Sequence, residues 1–477
     1  MAMPDSFFFY DLETSGVNPR TDRIMQFAGQ RTNLNLEPVG EPFNFLIKLS
    51  EDVLPEPDAI LVTGITPQKT ISEGITEAEF FKLFCEEIVK PGTVFAGFNN
   101  IRFDDEFIRF GLYRNFYDAY EWQWKNNCSR WDILDLTRIT RALRPDGIKW
   151  PFAPDGKPSN RLELLSSVNG LDHENAHDAL NDVLATIAIA RVVKQKQPKL
   201  FDYEFSIRNK KDVEKLVKNS LPFIYVSGKY SSEYEKLAIV YSIGAHPKKA
   251  GSFVYDLRFD PTKYLSLPPE KLAGLWRWTK DENAERLPVK TLHYNKCPAV
   301  APLGVLRKED AVRLKINEEL VQKHLKILKE NPEFYDNLCK ASNILEDEYS
   351  QTALLQDEQN VDGELYKEFI SDEDKNLFPK IRSEEPAKIS GYASLLNDSR
   401  LKGLLPLYKA RNYPKSLSGE ERAAWESFRT KKLQKSLPKF MKRIQELSAQ
   451  AGITSNQQYL LEELHLYAES VIPAEIG

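Results

Sequence analysis

Phe7-Phe8-Phe9-Tyr10 runs directly into Asp11-Leu12-Glu13-Thr14. This is an apolar run of strand length that ends in two carboxylates. Side chains of a strand alternate faces, so Asp11 and Glu13, two residues apart, project to the same side. Two carboxylates on one face repel, and such a pair persists mainly where a divalent cation neutralises it. Taken alone, such a pair is more often a solvated strand end than a metal site. What surrounds it in the chain makes it specific.

Two further segments carry candidate ligands. Asp104 follows Gly97-Phe98-Asn99-Asn100-Ile101-Arg102-Phe103 and begins a predicted helix over 104–112. By default an aspartate there is an N-cap, and Asp104-Asp105-Glu106 suits a first helical turn. The segment Ala176-His177-Asp178-Ala179-Leu180-Asn181-Asp182 opens the strongest helix of this half, 178–193. Asp182 lies between apolar residues, where a carboxylate is costly unless paired or bound to a cation; its plain alternative is a solvent-facing position. His177 is either a surface or capping histidine or a base whose ordinary pKa near 6.5 suits taking a proton from water near neutrality.

At 477 residues the chain exceeds one core, so two or three domains are expected. Strand-like and helix-like runs alternate over 7–195, which predicts a mixed α/β domain. The strands fall at Phe7–Asp11, Arg23–Thr32, Pro42–Leu49 and Val94–Phe98, with a helix over Ala78–Val89. The polar stretch Lys194–Lys199 ends it. Shorter β-like runs follow at Leu221–Ser227, Leu237–Ile243, Ser252–Leu257 and Ala299–Val305, with helices expected at Pro268–Trp278 and Glu309–Lys329. The acidic stretch Asp357–Asp362 reads as a linker to a helical C-terminal region. The boundaries are therefore 1–195, 198–350 and 354–477.

Composition excludes several classes. Four scattered cysteines without a C-x-x-C pair support neither a disulfide framework nor a zinc site. No apolar run reaches about 18 residues and no leader pattern opens the chain, so a cytoplasmic protein with no membrane segment is expected. The net charge of −5 argues against indiscriminate nucleic-acid binding. It hides a bipolar C-terminal region: Glu346–Glu385 holds 13 acidic and 4 basic residues (net −9), and Arg400–Glu446 holds 13 basic and 4 acidic (net +9).

Together the motifs D-x-E-T, N-x-x-F-D and H-x-x-x-x-D resemble those of the DEDDh 3′→5′ exonucleases. The last spacing is why His177 is preferred over His173. Further runs are similar to the bacterial exodeoxyribonuclease I family: Leu61–Gln68, Tyr113–Asp118, Asn127–Asp132, Ala142–Ile148, Leu200–Tyr203, Asn295–Pro298 and Tyr408–Pro414. The resemblance implies an RNase H-like exonuclease domain, then an SH3-like β-rich domain, then a helical C-terminal domain. It implies 3′→5′ hydrolysis of single-stranded DNA to 5′-mononucleotides in DNA repair, with two Mg²⁺ (or Mn²⁺) per site. Asp11, Glu13, Asp104 and Asp182 would hold the metals, and His177 would be the base. Glu13, Asn160 and Arg161 fall where the family meets the terminal nucleotide, although Asn160 replaces an aromatic residue there. Phe103, Arg109, Tyr120, Trp124 and Arg138 interleave aromatic and basic character as single-strand platforms do, whereas Trp122 reads as core. Arg144 falls where the family docks the C-terminal tail of single-stranded DNA-binding protein, and the basic run from Arg400 would extend that surface. A monomer is expected. The competing readings are a DEDDh nuclease for RNA or proofreading, which is usually little more than a catalytic domain, and an inactive scaffold, which requires a broken motif that this chain lacks.

Overall fold

In the computed structural model, which describes residues 5–171, 178–281, 284–356 and 360–472, the aromatic run is the central strand of a sheet. β1 (Ser6–Thr14) lies in a five-stranded sheet ordered β3-β2-β1-β4-β5, with β2 (Ile24–Thr32), β3 (Phe43–Leu46), β4 (Thr93–Gly97) and β5 (Ser129–Asp132). β2 runs antiparallel to β1 and β3, whereas β4 runs parallel to both β1 and β5. The C-terminal ends of β1, β4 and β5 therefore share one edge.

Both faces of β1 are covered, which is why four large side chains follow one another without a polar break. Phe7 and Phe9 pack with Val183, Ile187 and Ala190 of the helix Ala179–Lys196. Phe8, Tyr10 and Leu12 point the other way, onto Phe80, Phe81, Phe84 and Phe107. The expected helix over 78–89 is Glu77–Leu83, started by a Thr76–Glu79 capping box, and continues as a wider turn over Phe84–Ile88.

The second domain is an antiparallel sheet ordered β10-β6-β7-β8-β9, formed by β6 (Phe223–Val226), β7 (Leu237–Ala245), β8 (Gly251–Asp256), β9 (Val289–His293) and β10 (Ala299–Pro302). β9 was not among the expected strands. The helix expected over 309–329 is two, Lys308–Arg313 and Glu318–Glu330, separated where Lys315 takes a left-handed φ of 54° and Asn317 caps the second.

Helices Ser399–Asn412, Gly419–Ser448 and Ser455–Val471 form most of the C-terminal region. Beside a small cluster of their own around Leu407, Ala410 and Trp425, they share their larger cores with the first domain. Leu433, Phe440, Leu464 and Tyr467 pack with Met25, Leu49 and Ile60, and Leu404 and Tyr408 pack with Phe110 and Phe116. The linker reading of 357–362 is corrected at its described end: Asp362 is buried and pairs at 2.7 Å with both Arg23 and Arg411. A residue that anchors two buried guanidiniums is a fixed joint between domains. No described helix is long and apolar enough to cross a membrane.

Candidate active site

Asp11 and Glu13 leave β1 on the face covered by the helix Ala179–Lys196. That helix starts beside them because Asp178 caps it, accepting from the backbone N–H groups of Leu180 (3.1 Å) and Asn181 (3.4 Å). Asp182 follows one turn on. One carboxylate oxygen from each of Asp11, Glu13 and Asp182 lies within 4.8 Å of the others.

Asp104 arrives from β4. At Gly97 a Cβ would sit 2.8 Å from the Tyr10 carbonyl oxygen, so only glycine lets β4 end this close to β1. Asn99 then takes a left-handed φ of 72°, which asparagine tolerates. Arg102 pins the connection through Asp132 (3.1 Å) and Asp135 (2.6 Å). The helix Asp104–Arg114 begins without a side-chain cap. Asp104 is thus not the cap its position suggested: it is buried, and among the described residues its Oδ1 has no hydrogen-bond partner.

The electrostatics follow from this crowding. Burial, then Asp11, Asp182 and Asp178, push the Glu13 carboxyl up to about 9. Burial and Asp182 hold Asp11 well above its usual range; burial, Asp11 and other nearby carboxylates do the same to Asp104. A set of hard oxygen donors that cannot all ionise together, two of them buried and two half-buried, one with an oxygen unpartnered among the described residues, fits a divalent cation. His177 lies outside the described residues.

The other candidates separate by environment. Arg161 is exposed, with Glu163 at 3.6 Å, and Asn160 has a buried Oδ1 without a partner among the described residues. Phe103 stands against Phe107 with ring centroids 5.1 Å apart, and Trp124 is 63% exposed. Arg109, by contrast, is buried and engaged by Glu106 (2.7 Å) and Gln123 (2.8 Å). Tyr120 packs near Tyr366, and Arg138 bonds Asp135 at 2.7 Å. Trp122 is core, packed edge-on to Phe95. Arg144 sits at the seam with the second domain, donating to the Val305 carbonyl at 2.8 Å with Asp310 at 3.7 Å. Part of the basic run beyond Arg400 is engaged within the protein. Lys409, Arg411, Arg429, Lys432 and Arg443 pair with Glu421, Asp362, Glu51, Asp52 and Asp58.

A cationic cluster escaped the sequence reading. Burial, then Lys290, Arg102, Lys249 and Lys296, lower the Lys229 ammonium, and burial with Lys229, Lys249 and Lys296 lowers His293 to about 4. These residues come from separate turns and strands of the second domain and converge beside Arg102, two residues before Asp104. No local run of basic residues announces them.

A parallel-edged sheet with clustered carboxylates at its C-terminal edge, backed by an SH3-like sheet and a helical domain, defines a nuclease of the RNase H-like exonuclease class. The family models described as Exonuclease, Exonuclease I SH3-like domain and Exonuclease I C-terminal domain match residues 8–190, 208–342 and 359–471. The chain belongs to the exodeoxyribonuclease I family. It is 40% identical over 469 residues to the exodeoxyribonuclease I of Haemophilus influenzae, covering 97% of this chain and 98% of that protein. It superposes with a TM-score of 0.91 on the zinc-bound form of the Escherichia coli exonuclease I–single-stranded DNA complex, at 37% identity over 98% of this chain and all of that one. A structure of exonuclease I with single-stranded DNA-binding protein and an inhibitor gives a TM-score of 0.88 at 37% identity, again over 98% of this chain and all of that one.

Proposed function

We propose that the protein degrades single-stranded DNA from the 3′ end, releasing 5′-mononucleotides, with two divalent cations, Mg²⁺ foremost and Mn²⁺ as a substitute. The observation that carries this is the convergence of Asp11, Glu13 and Asp182 within 4.8 Å, with the partnerless Asp104 oxygen buried alongside. Asp11, Glu13 and Asp182 would hold one cation, and Asp11 with Asp104 would hold the second. Bound cations supply charge neutralisation at the scissile phosphodiester. The carboxylates fix where the phosphate sits, and His177, assigned on motif spacing, accepts the proton of the attacking water. Arg161 meets the terminal phosphate beside Asn160. Phe103 and Trp124 stack bases, and Lys229 follows the backbone, flanked by Lys249 and Lys296, which are paired with Glu346 and Glu106. Arg109, Tyr120 and Arg138, with protein partners of their own, shape the wall behind them. Arg144 receives the acidic tail of single-stranded DNA-binding protein. The setting is cytoplasmic DNA repair by a monomer.

A time course on 5′-labelled single-stranded DNA, duplex DNA and RNA of one sequence tests this. A ladder shortening from the 3′ end of the single-stranded DNA alone, abolished by EDTA and by Asp182→Ala while DNA binding persists, is expected. Full activity of Asp182→Ala would sink the assignment, and preferential RNA degradation would move it to the exoribonucleases.

A further inference from the structure

Asp105, the neighbour of Asp104, is wholly buried and has no role in the reaction just described. Its Oδ1 accepts a hydrogen bond from the Tyr10 hydroxyl at 2.5 Å, across 95 residues of chain. Tyr10 immediately precedes Asp11. The other oxygen, Oδ2, pairs with Arg130 of β5, and Arg109 stands 3.9 Å away. Arg130 in turn donates to the Asn295 carbonyl at 2.8 Å, in the turn between β9 and β10 of the SH3-like sheet. One carboxylate thus joins the residues adjoining two candidate ligands and is braced by a second domain.

The sheet itself does not supply this link. Parallel pairing between β1 and β4 ends at Phe9 opposite Ala96, two residues short of Asp11. Beyond that point the end of β1 and the start of the helix Asp104–Arg114 carry carboxylates that repel one another. Tyr10–Asp105 is a side-chain bond that holds these two elements together past the end of the ladder. Aspartate suits the task because its two oxygens serve opposite directions, a phenol on one side and a guanidinium on the other. The Arg130 charge offsets the burial of the carboxylate.

We infer that Asp105 is a positioning residue: braced by Arg130, it holds Tyr10 and so sets the separation of Asp11 and Asp104 at which the second cation binds. The inference rests on the two-cation reading above. Tyr10→Phe is the cleanest test, because the ring keeps its place among Phe27, Phe95 and Trp122 and only the hydroxyl is lost. Mn²⁺ binding to EDTA-stripped protein, followed by electron paramagnetic resonance, is compared with kcat and KM on an oligonucleotide at limiting and excess Mn²⁺. The weaker of two Mn²⁺ sites is expected to lose affinity by about 10- to 100-fold in Tyr10→Phe, the usual effect of removing a partner behind a metal ligand. The rate constant kcat falls at limiting Mn²⁺ with KM unchanged, and excess Mn²⁺ restores it. Asp105→Asn moves the same way and further. Wild-type Mn²⁺ affinity and kcat in Tyr10→Phe would overturn the inference while leaving the two-cation reading intact; a wild type that binds no more than one Mn²⁺ would overturn both.

Discussion

Burial gives the site carboxylates their chemistry and also makes them a liability. Glu13, pushed up to about 9 by burial and its acidic neighbours, is protonated near neutrality when no cation is bound. A carboxyl raised above its unfolded value contributes stability that is complete below that value and disappears as pH rises through the folded one. For Glu13 this window runs from about 4.5 to about 9. Cations reverse the sign, because they bind the deprotonated oxygens and displace the protons. In EDTA, the melting temperature should therefore fall between about pH 6 and pH 9, and the rise produced by Mg²⁺ should grow over the same interval. Differential scanning fluorimetry measures both; a melting temperature in EDTA that climbs with pH would contradict the carboxylate cluster. At this scale the sequence was most legible for ligands in short motifs. Asp11 and Glu13 declare themselves through strand alternation. Lys229 and His293 do not, because their shared cluster exists only once distant turns are folded together. The partners of Arg109 are hidden for the same reason: a basic residue beside aromatics gives no sign in the sequence of the Glu106 and Gln123 that engage it.

Among the elements, the tightest constraint falls where β4 hands over to the helix Asp104–Arg114. A methyl group at Gly97 would lie 2.8 Å from the Tyr10 carbonyl and 2.8 Å from Asn100 Cβ, both fixed groups. Gly97→Ala should cost about 1–3 kcal/mol, the usual range for forcing an atom into packed structure. It should also lower kcat, since the displaced connection carries Asp104. Gly274 in the helix Pro269–Trp276 has nothing within 4 Å of its Cβ position. Gly274→Ala should be neutral or stabilising by up to about 1 kcal/mol. Urea midpoints for the two proteins make the comparison, and equal midpoints would contradict it. Long periodic runs revealed their elements, as in 178–193. Boundaries set by one backbone angle, such as the left-handed Lys315 between two helices, left no periodic trace. β9 was obscured in another way: Val289-Lys290-Thr291-Leu292-His293 is five residues long and acquires its strand character by pairing with β8.

Across the whole molecule, the C-terminal region is held to the exonuclease domain by shared apolar cores and by a chain of buried charges. Asp362 pairs with Arg23 and Arg411, Arg411 reaches Asp52, and Asp52 reaches Lys432 at 2.6 Å. The net charge of +9 counted over Arg400–Glu446 is therefore spent in part on docking, and the opposing acidic segment supplies one of the anchors. Against the burial that would raise it, Arg411 and Arg23 hold the Asp362 carboxyl well below the usual carboxylate range, so its contribution persists above the ordinary carboxylate pKa and is lost only as pH falls through that depressed value. Removing one partner of a buried pair leaves an uncompensated charge, which costs about 3–5 kcal/mol. In Asp362→Ala two guanidiniums, Arg23 and Arg411, lose that partner at once. The loss falls on the joint, and the second domain has its own apolar cluster around Phe253, Tyr255 and Leu325. Limited proteolysis should then release the C-terminal helices from Asp362→Ala under conditions in which the wild type stays intact, while residues of the second domain remain protected. The double variant Asp362→Leu with Arg23→Met, which removes both charges of one pair, should recover part of that resistance. If Asp362→Ala resists protease as the wild type does, the apolar cores alone hold the domains, and the buried ion pairs serve only to fix their register.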